Sequence, residues 1–337
     1  MTARVTIAIP TFNRAKYLRV ALHSALQQSW PNLEVIVSDN ASTDDTATFL
    51  DGIIDPRVVR LSQDMTIPVF NHWDSCLRSA TGEYFLLLSD DDLLAPDAIE
   101  QMIMVFEQAR ANGEELGFVT CRTTVVSSEG SIRYRGSPFP IPASAESVIL
   151  DFFRSKVEIV PCALLFPTAA IRPGYTQYAS EFSLAADAIV WIKRILETGK
   201  AGFVDQDLAF YRTHSNTTTT TCLTKWHVEN VMLAEYVIRQ LKAHGRGEGL
   251  LYREIRKAAE QLNTRITAAW IVNAWGNSKA AAFGLARQHA RTLVHPYGAM
   301  ATMKAVCTAM IPLSWRRSLV AVRRLVRNRL SRYVLRG

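Results

Sequence analysis

Three adjacent carboxylates, Asp90-Asp91-Asp92, close the apolar run Phe85-Leu86-Leu87-Leu88. Neighbouring carboxylates repel one another, so the triplet is either a solvated surface turn or a place where a cation neutralises the charge. Oxygen ligands of this kind select hard ions, Mg²⁺ or Mn²⁺, which keep several waters and meet substrate phosphates through one or two carboxylates. The chemistry that follows is the binding of a nucleoside diphosphate. Neither a Gly-rich phosphate loop nor G-x-G-x-x-G is present. That leaves phosphate to a metal and basic side chains, and counts against kinases and dehydrogenases.

Two further polar clusters, Pro10-Thr11-Phe12-Asn13-Arg14 and Asp39-Asn40-Ala41-Ser42-Thr43-Asp44, each end a short β-branched run. Singly they have ordinary explanations, since Asp39 and Ser42 are good turn and helix-cap residues. What they share with the triplet is position. Val5–Pro10 and Leu33–Asp39 read as strands, and Ala15–Gln28 between them carries apolar residues at helical spacing. Thr46–Ile53 as helix, Val58–Leu61 as strand, Val69–Ser79 as helix and Tyr84–Leu88 as strand continue the alternation. Buried strands alternating with helices build a parallel sheet covered on both faces, and such sheets bind ligands at the carboxyl ends of their strands. All three clusters fall there.

Downstream the pattern is less regular. Pro96 opens a helix to about Ala111, and Phe118–Val126 with Ile132–Tyr134 forms a hairpin around Ser128-Glu129-Gly130. Ala145–Arg154 and Ser183–Thr198 read as helices, the second stopped by Gly199, and Phe203–Tyr211 as a closing strand. The polar stretch THSNTTTTT at 213–221 reads as a loop, with helical sequence beyond it.

PTFNR, SDNASTDDT and LLSDDD, in that order, resemble the family 2 inverting glycosyltransferases of GT-A fold, over roughly residues 4–215. The fold so implied is α/β, a Rossmann-like, mostly parallel sheet flanked by helices, with a C-terminal helical extension here. The resemblance implies a metal-dependent enzyme moving a sugar from a nucleotide-diphosphate donor, a UDP-sugar first among candidates, to a glycan or lipid-linked acceptor. It places Pro10, Thr11, Asn13 and Arg14 in the nucleotide pocket, Asp39 on the base or ribose, and Asn71 facing the donor. Within the triplet it turns Asp91 toward the ribose, gives the Mn²⁺ or Mg²⁺ to Asp92 and leaves Asp90 on the donor side without a fixed role. Ser89 stands where the family often has an acidic residue, so the register of these roles stays open.

Transfer with inversion needs a base to deprotonate the acceptor hydroxyl while the diphosphate leaves. The resemblance assigns that base to Asp187, near the start of the Ser183–Thr198 helix, with Glu181 in reserve. Ala186 departs from the acidic residue the family has there, and an aspartate in a first turn is also what the helix dipole favours. Tyr211-Arg212-Thr213-His214 resembles the family's terminal element, in which a histidine approaches the metal or pyrophosphate, so His214 joins the metal side. Arg212 could equally be an ion-pair partner, and a loop histidine merely solvated.

At 337 residues and 48% apolar, the chain suits a catalytic domain over 1–222, with a nucleotide-sugar half at 1–112 and an acceptor half at 113–222, followed by a basic helical region at 223–337. Net charge is +7, yet the first 260 residues carry 25 basic against 31 acidic groups and the remainder thirteen basic and no acidic ones. Trp315, Leu319, Val322, Val326 and Leu330 recur at helical spacing among Arg316, Arg317, Arg323, Arg324 and Arg327. A basic amphipathic helix with Trp at one end suits an anionic membrane surface, and the absence of interleaved aromatics argues against nucleic acid. Packing on the catalytic domain is the plainer alternative.

Five scattered cysteines without a CxxC pair suggest neither a disulfide framework nor a zinc site, residues 1–20 lack a signal-peptide layout, and no apolar run is long enough to span a membrane. The expectation is a cytoplasmic protein, peripheral on the inner face of the membrane. The rival classes are a non-catalytic sugar-nucleotide or membrane-binding module of the same fold, and a nucleotidyltransferase. The last should show a Gly-rich loop where PTFNR stands.

Overall fold

The computed structural model describes residues 2–139, 143–176, 182, 185–214, 223–243, 245 and 252–262. Strands β1 (Val5–Thr11) and β2 (Leu33–Asp39) are buried at every position. They pair in parallel from Val5 opposite Leu33 to Thr11 opposite Asp39. β3 (Val58–Ser62) adds to β2 and β4 (Tyr84–Leu87) to β1, both in parallel. The β1–β4 register sets Ala8 opposite Leu87, and three more residues of it bring Thr11 level with Asp90.

Side chains alternate across a strand, so the sheet has two faces to cover. Ile7, Ile9, Val35, Val37 and Leu86 share one core with α1 (Ala15–Leu26) and α4 (Ala98–Ala111), which contribute Leu18, Leu22, Ile99, Met102 and Ile103. Each such side chain taken fully out of water contributes roughly 2 kcal/mol. The alternate residues Ala8, Ile36 and Phe85 are equally buried, and α3 (Val69–Ser79) packs against β1 and β2. The short α2 (Thr46–Asp51) packs on α1.

The second half turns the sheet mixed. β6 (Val119–Ser127) carries β7 (Ile132–Arg135) as the expected hairpin. β8 (Leu164–Pro167) inserts antiparallel between β4 and β6, and β9 (Gly202–Thr213) runs parallel to β6. A two-residue strand, β5 (Leu93–Leu94), pairs antiparallel with β9. The spatial order is β3-β2-β1-β4-β8-β6-β9-β5, with β7 beside β6. The parallel run expected from the β-α alternation is thus its first four strands. The sequence reading contained neither β5 nor β8, and β5 ties the turn of the aspartate triplet to the end of β9.

The helices of this half include α5 (Ala145–Phe153), α6 (Thr168–Ile171), α7 (Ala186–Thr198) and α8 (Leu223–Ala243). α7 ends at Gly199 with φ 79°, the left-handed stop its sequence called for. The chain divides into two compact units, Met1–Ala258 and Ala259–Gly337, and α8 belongs to the first. The basic helix expected from Ser314 onward and residues 215–221 of the loop expected at 213–221 lie outside the described residues, while Thr213 is instead the last residue of β9. No described helix is long and apolar enough to cross a membrane. Cys76, Cys121 and Cys162 are buried free thiols.

The segment after α6 is fastened to α3 from two sides. Arg172 donates to the carbonyls of Leu77, Arg78 and Ala80 at the end of α3, satisfying groups a helix leaves open. The buried Asp74 accepts from the N–H groups of Tyr175 and Thr176 and from the Thr176 hydroxyl. Between them Gly174 takes φ +82°, and a Cβ there would stand 2.6 Å from Asp74 Oδ1. Gly174→Ala is therefore expected to cost about 3 kcal/mol, from the left-handed backbone and the clash together. Urea unfolding of the two proteins checks it, and a loss below about 0.5 kcal/mol would show that the turn is not held this way.

Candidate functional site

The loops after β1, β2 and β4 converge. Asp90 accepts a hydrogen bond from Thr11 Oγ1 at 2.8 Å and an ion pair from Arg14 Nη1 at 3.0 Å. The same guanidinium nitrogen reaches Asp91 Oδ2 at 2.9 Å. His214 Nε2 lies 2.9 Å from that Asp91 oxygen, from the far end of β9. Asp92 takes a different direction. Its Oδ1 accepts from the Arg212 N–H at 2.8 Å, Oδ2 is buried without a hydrogen-bond partner among the described residues, and the residue is 1% exposed. Arg212 completes the tie, donating Nε–H to the Asp91 carbonyl and Nη1–H to the carbonyls of Ser127 and Ser128. Tyr17 of α1 stacks on His214, with ring centroids 5.4 Å apart, and carries the Arg212 guanidinium 5.6 Å from its ring centre.

Burial and like charge set the protonation of this cluster. Burial drives the Asp90 carboxyl up to about 6, against the pull of Arg14, while Asp91 adds to the rise. Burial and then Asp91 push Asp92 well above the usual carboxylate range, and the Arg212 N–H offsets only part of it. Burial and the Asp92 charge likewise raise the thiol of neighbouring Cys162. Such an accumulation of acid is where a cation would lower the energy. Among the described residues no three His, Cys, Asp or Glu side chains form a ready cation cage. An ion that draws on one or two carboxylates and takes its other oxygens from phosphate and water fits this arrangement.

The β1 and β2 loops are locked together by side-chain to backbone bonds. Asn13, at φ 54°, accepts the Thr43 N–H on Oδ1 at 2.7 Å, and its own N–H donates to Ser42 Oγ. Asp44 accepts from the N–H groups of Ala15 and Thr46, opening α1 and α2 with one carboxylate. Asp39 Oδ1 accepts the Ser42 N–H at 3.0 Å, the turn role its sequence position allowed, and no hydrogen bond engages its second oxygen among the described residues. Asn13 and Ala41, at φ 61°, hold left-handed backbone without being glycine. Strain of this sort persists where the surroundings over-determine it and is characteristic of ligand clamps.

Thr11, Arg14, Asp90, Asp91, Asp92 and His214 are thus brought into one connected cluster, with Asn13 and Asp39 on the adjoining loops. Pro10 is the buried residue of β1 before Thr11. Asn71 stands exposed in the first turn of α3. The approach to that helix is clamped where Asn40 binds both the N–H and the carbonyl of Ile67. Asp187 makes no hydrogen bond or ion pair with the triplet among the described residues. It sits half-buried in the first turn of α7, with Oδ1 inaccessible and, among the described residues, unpartnered. Burial drives its carboxyl up to about 6, the N–H of Ala188 pulls it down and Glu229 of α8 pushes it further up. Glu181 lies outside the described residues.

Tyr17, Ser127 and Ser128 are members of the cluster that the sequence reading missed. Tyr17 is one helical turn beyond Arg14, the only signal pointing to it, and the two serine carbonyls carry no sequence signal at all. His72, also unread, is a core residue whose Nε2 lies 2.8 Å from Ser38 Oγ and whose burial lowers its proton affinity.

Residues 6–166, which include the three strand-end loops and the triplet, match the family described as Glycosyl transferase family 2. Over that stretch, just under half of its length, the chain is similar to that family. It is 30% identical over 140 residues to the O-antigen biosynthesis protein RfbC of Myxococcus xanthus, covering 40% of this chain and 10% of that protein. It is 31% identical over 160 residues to the succinoglycan biosynthesis protein ExoO of Rhizobium meliloti, covering 45% and 44%. Against the chondroitin synthase of Escherichia coli it is 32% identical over 139 residues, covering 41% and 20%. The chain therefore spans less than half the length of each of these relatives. Among solved structures, S. aureus TarS 1–349 in complex with UDP-GlcNAc aligns with a TM-score of 0.54 at 15% identity, over 94% of this chain and 92% of that one. The mannosyltransferase PcManGT from Pyrobaculum calidifontis, in complex with GDP-Man and Mn²⁺, gives 0.52 at 20% identity, over 92% and 86%. At these identities the likeness is one of fold, and that fold is GT-A.

Proposed function

We propose that this chain transfers a sugar, with inversion, from a nucleoside-diphosphate donor to a hydroxyl of a surface-polysaccharide or lipid-linked precursor. The observation that carries the reading is the convergence of Arg14 and His214 on one oxygen of Asp91, at the strand ends where the β1 and β2 loops are clamped. Relatives named for O-antigen, succinoglycan and chondroitin assembly support the acceptor class, and fold neighbours holding UDP-GlcNAc or GDP-Man support the donor class.

In this reading Thr11, Asn13, Asp39 and Asn71 border the nucleoside and Arg14 faces the phosphates. Mn²⁺ or Mg²⁺ would be held by Asp91 with His214, while Asp92, committed to the Arg212 N–H, anchors the turn that presents them. When bound, the ion neutralises the charge that develops on the departing nucleoside diphosphate. Arg212 holds the triplet's backbone, and Tyr17 keeps the His214 ring in plane. Asp187 takes the proton from the attacking hydroxyl. The test is calorimetry and nucleoside-diphosphate release with a panel of UDP-, GDP- and dTDP-sugars and Mn²⁺ or Mg²⁺, with UDP-sugars tried first. Binding of at least one donor in the presence of metal is expected, and failure of all to bind removes the proposal.

A base must be ionised to act. With the Asp187 carboxyl raised to about 6, and Glu229 and Tyr175 as the acidic groups around it, kcat/KM should fall tenfold per pH unit below about 6 and level off above it. A rate that stays flat down to pH 5 would assign the proton elsewhere.

The basic segment from Ser314 onward is proposed to hold the protein against anionic lipid on the cytoplasmic face. Deleting residues 312–337 should abolish sedimentation with vesicles containing phosphatidylglycerol while donor binding persists. Equal sedimentation of both proteins would refute this.

A further inference from the structure

The first turn of α7 exposes N–H groups that the helix itself cannot satisfy. Most helices meet this need with a Ser, Thr, Asp or Asn at the N-cap, but here the N-cap is Ala185, which has nothing to offer. The partner comes instead from a helix outside the segment that matches the family. Glu229 of α8, 44 positions along the chain and 4% exposed, accepts the Ala185 N–H on Oε2 at 2.8 Å. Asp187 lies two residues further on, and the Glu229 charge acts on it. Two carboxylates therefore share one helix terminus. Glu229 meets the Ala185 N–H, which Asp187 does not, and does so against the repulsion between the two acids.

We propose that Glu229 is a positioning residue for the reaction: by capping α7 through Ala185 it fixes where the Asp187 carboxylate stands, so α8 is a working part of the catalytic unit. The inference rests on the reading of Asp187 as the base. A base displaced by about 1 Å loses on the order of 10²-fold in rate without any change in the donor pocket, because proximity enters only at the chemical step. Glu229→Met keeps the length of the side chain and removes the acceptor. Glu229→Gln keeps an oxygen that can accept the same N–H.

The assay is nucleoside-diphosphate release from whichever UDP-, GDP- or dTDP-sugar turns over fastest with Mn²⁺, water standing in for the acceptor hydroxyl, with kcat and donor KM resolved and thermal melting recorded for each variant. Glu229→Met should lower kcat ~30-fold at unchanged donor KM, and Glu229→Gln should return it to within about threefold of the parent. A fully active Glu229→Met overturns the proposal. If Glu229→Met does not fold, Glu229→Gln decides alone: a folded Gln variant that has lost tenfold or more in kcat overturns it. Asp187→Asn, run alongside, separates the two ideas. Its inactivity together with an active Glu229→Met refutes only the positioning role, whereas Asp187→Asn turning over normally refutes the base and this inference with it.

Discussion

Asp187→Asn is expected to lower kcat for sugar transfer by about 10²- to 10⁴-fold while leaving the affinity for the donor within about twofold. The substitution conserves size and can still accept a hydrogen bond, so it removes only the capacity to take a proton. Three features of the residue support a loss of this size. Its Oδ1 has no hydrogen-bond partner among the described residues, so the carboxylate is not committed to a structural bond with them on that side. Burial brings its carboxyl up to about 6, near the working pH, where a base is both mostly ionised and strong enough to accept a proton. It also stands on a helix whose first turn is capped from another element, which gives the side chain a fixed origin. Asparagine is also a good residue at a helix start, so a purely structural aspartate predicts unaltered melting and an unaltered rate. Isotope-labelled transfer assays with matched donor calorimetry distinguish the two, and an unaltered rate would return Asp187 to the helix dipole.

How much of this could be read from residues depends on the range of the interactions concerned. β1, β2 and β4 were legible because each is a short, wholly buried run, the partly exposed β3 was legible from Val58-Val59 and its place in the alternation, and their order follows from the helices between them. The strand-end clusters were legible for the same reason, since a polar group immediately after a buried strand has few places to go. β8 was not, because Leu164–Pro167 is four residues between a 3-10 turn and a short helix, too brief for any periodicity. β5 is shorter still, and its partner Phe210 lies over a hundred residues away. The division of labour within the triplet was illegible because it depends on β9. Asp91 meets His214 and Asp92 meets the Arg212 backbone only once β5 has paired with β9, and a local motif cannot say which of three neighbours turns inward. Glu229 gave no signal whatever, since an acidic residue in a long helix is ordinarily solvated.

That inward turn makes the metal assignment testable by rank. The sequence motif gives the cation to Asp92, but in the folded chain Asp92 is the least accessible of the three and spends Oδ1 on Arg212, whereas Asp91 Oδ2 sits between Arg14 and His214. Asp91→Ala should therefore lower Mn²⁺-dependent nucleoside-diphosphate release by about 10³-fold, as expected when one fixed electrostatic stabiliser of the leaving group is removed. Asp92→Asn keeps the acceptor for the Arg212 N–H and the volume of the side chain, so its loss should stay below about tenfold. His214→Ala should raise the Mn²⁺ concentration needed for half-maximal rate without changing the donor it prefers. Mn²⁺ titrations of the three variants at saturating donor give the ranking directly. If Asp92→Asn is the inactive protein and Asp91→Ala the tolerant one, the cation draws Asp92 out of its bond to Arg212. The turn between β4 and β5 would then have to rearrange on binding, and Arg212, which holds Asp91 and Asp92 at the β5 end of that turn, would be the residue that resists it.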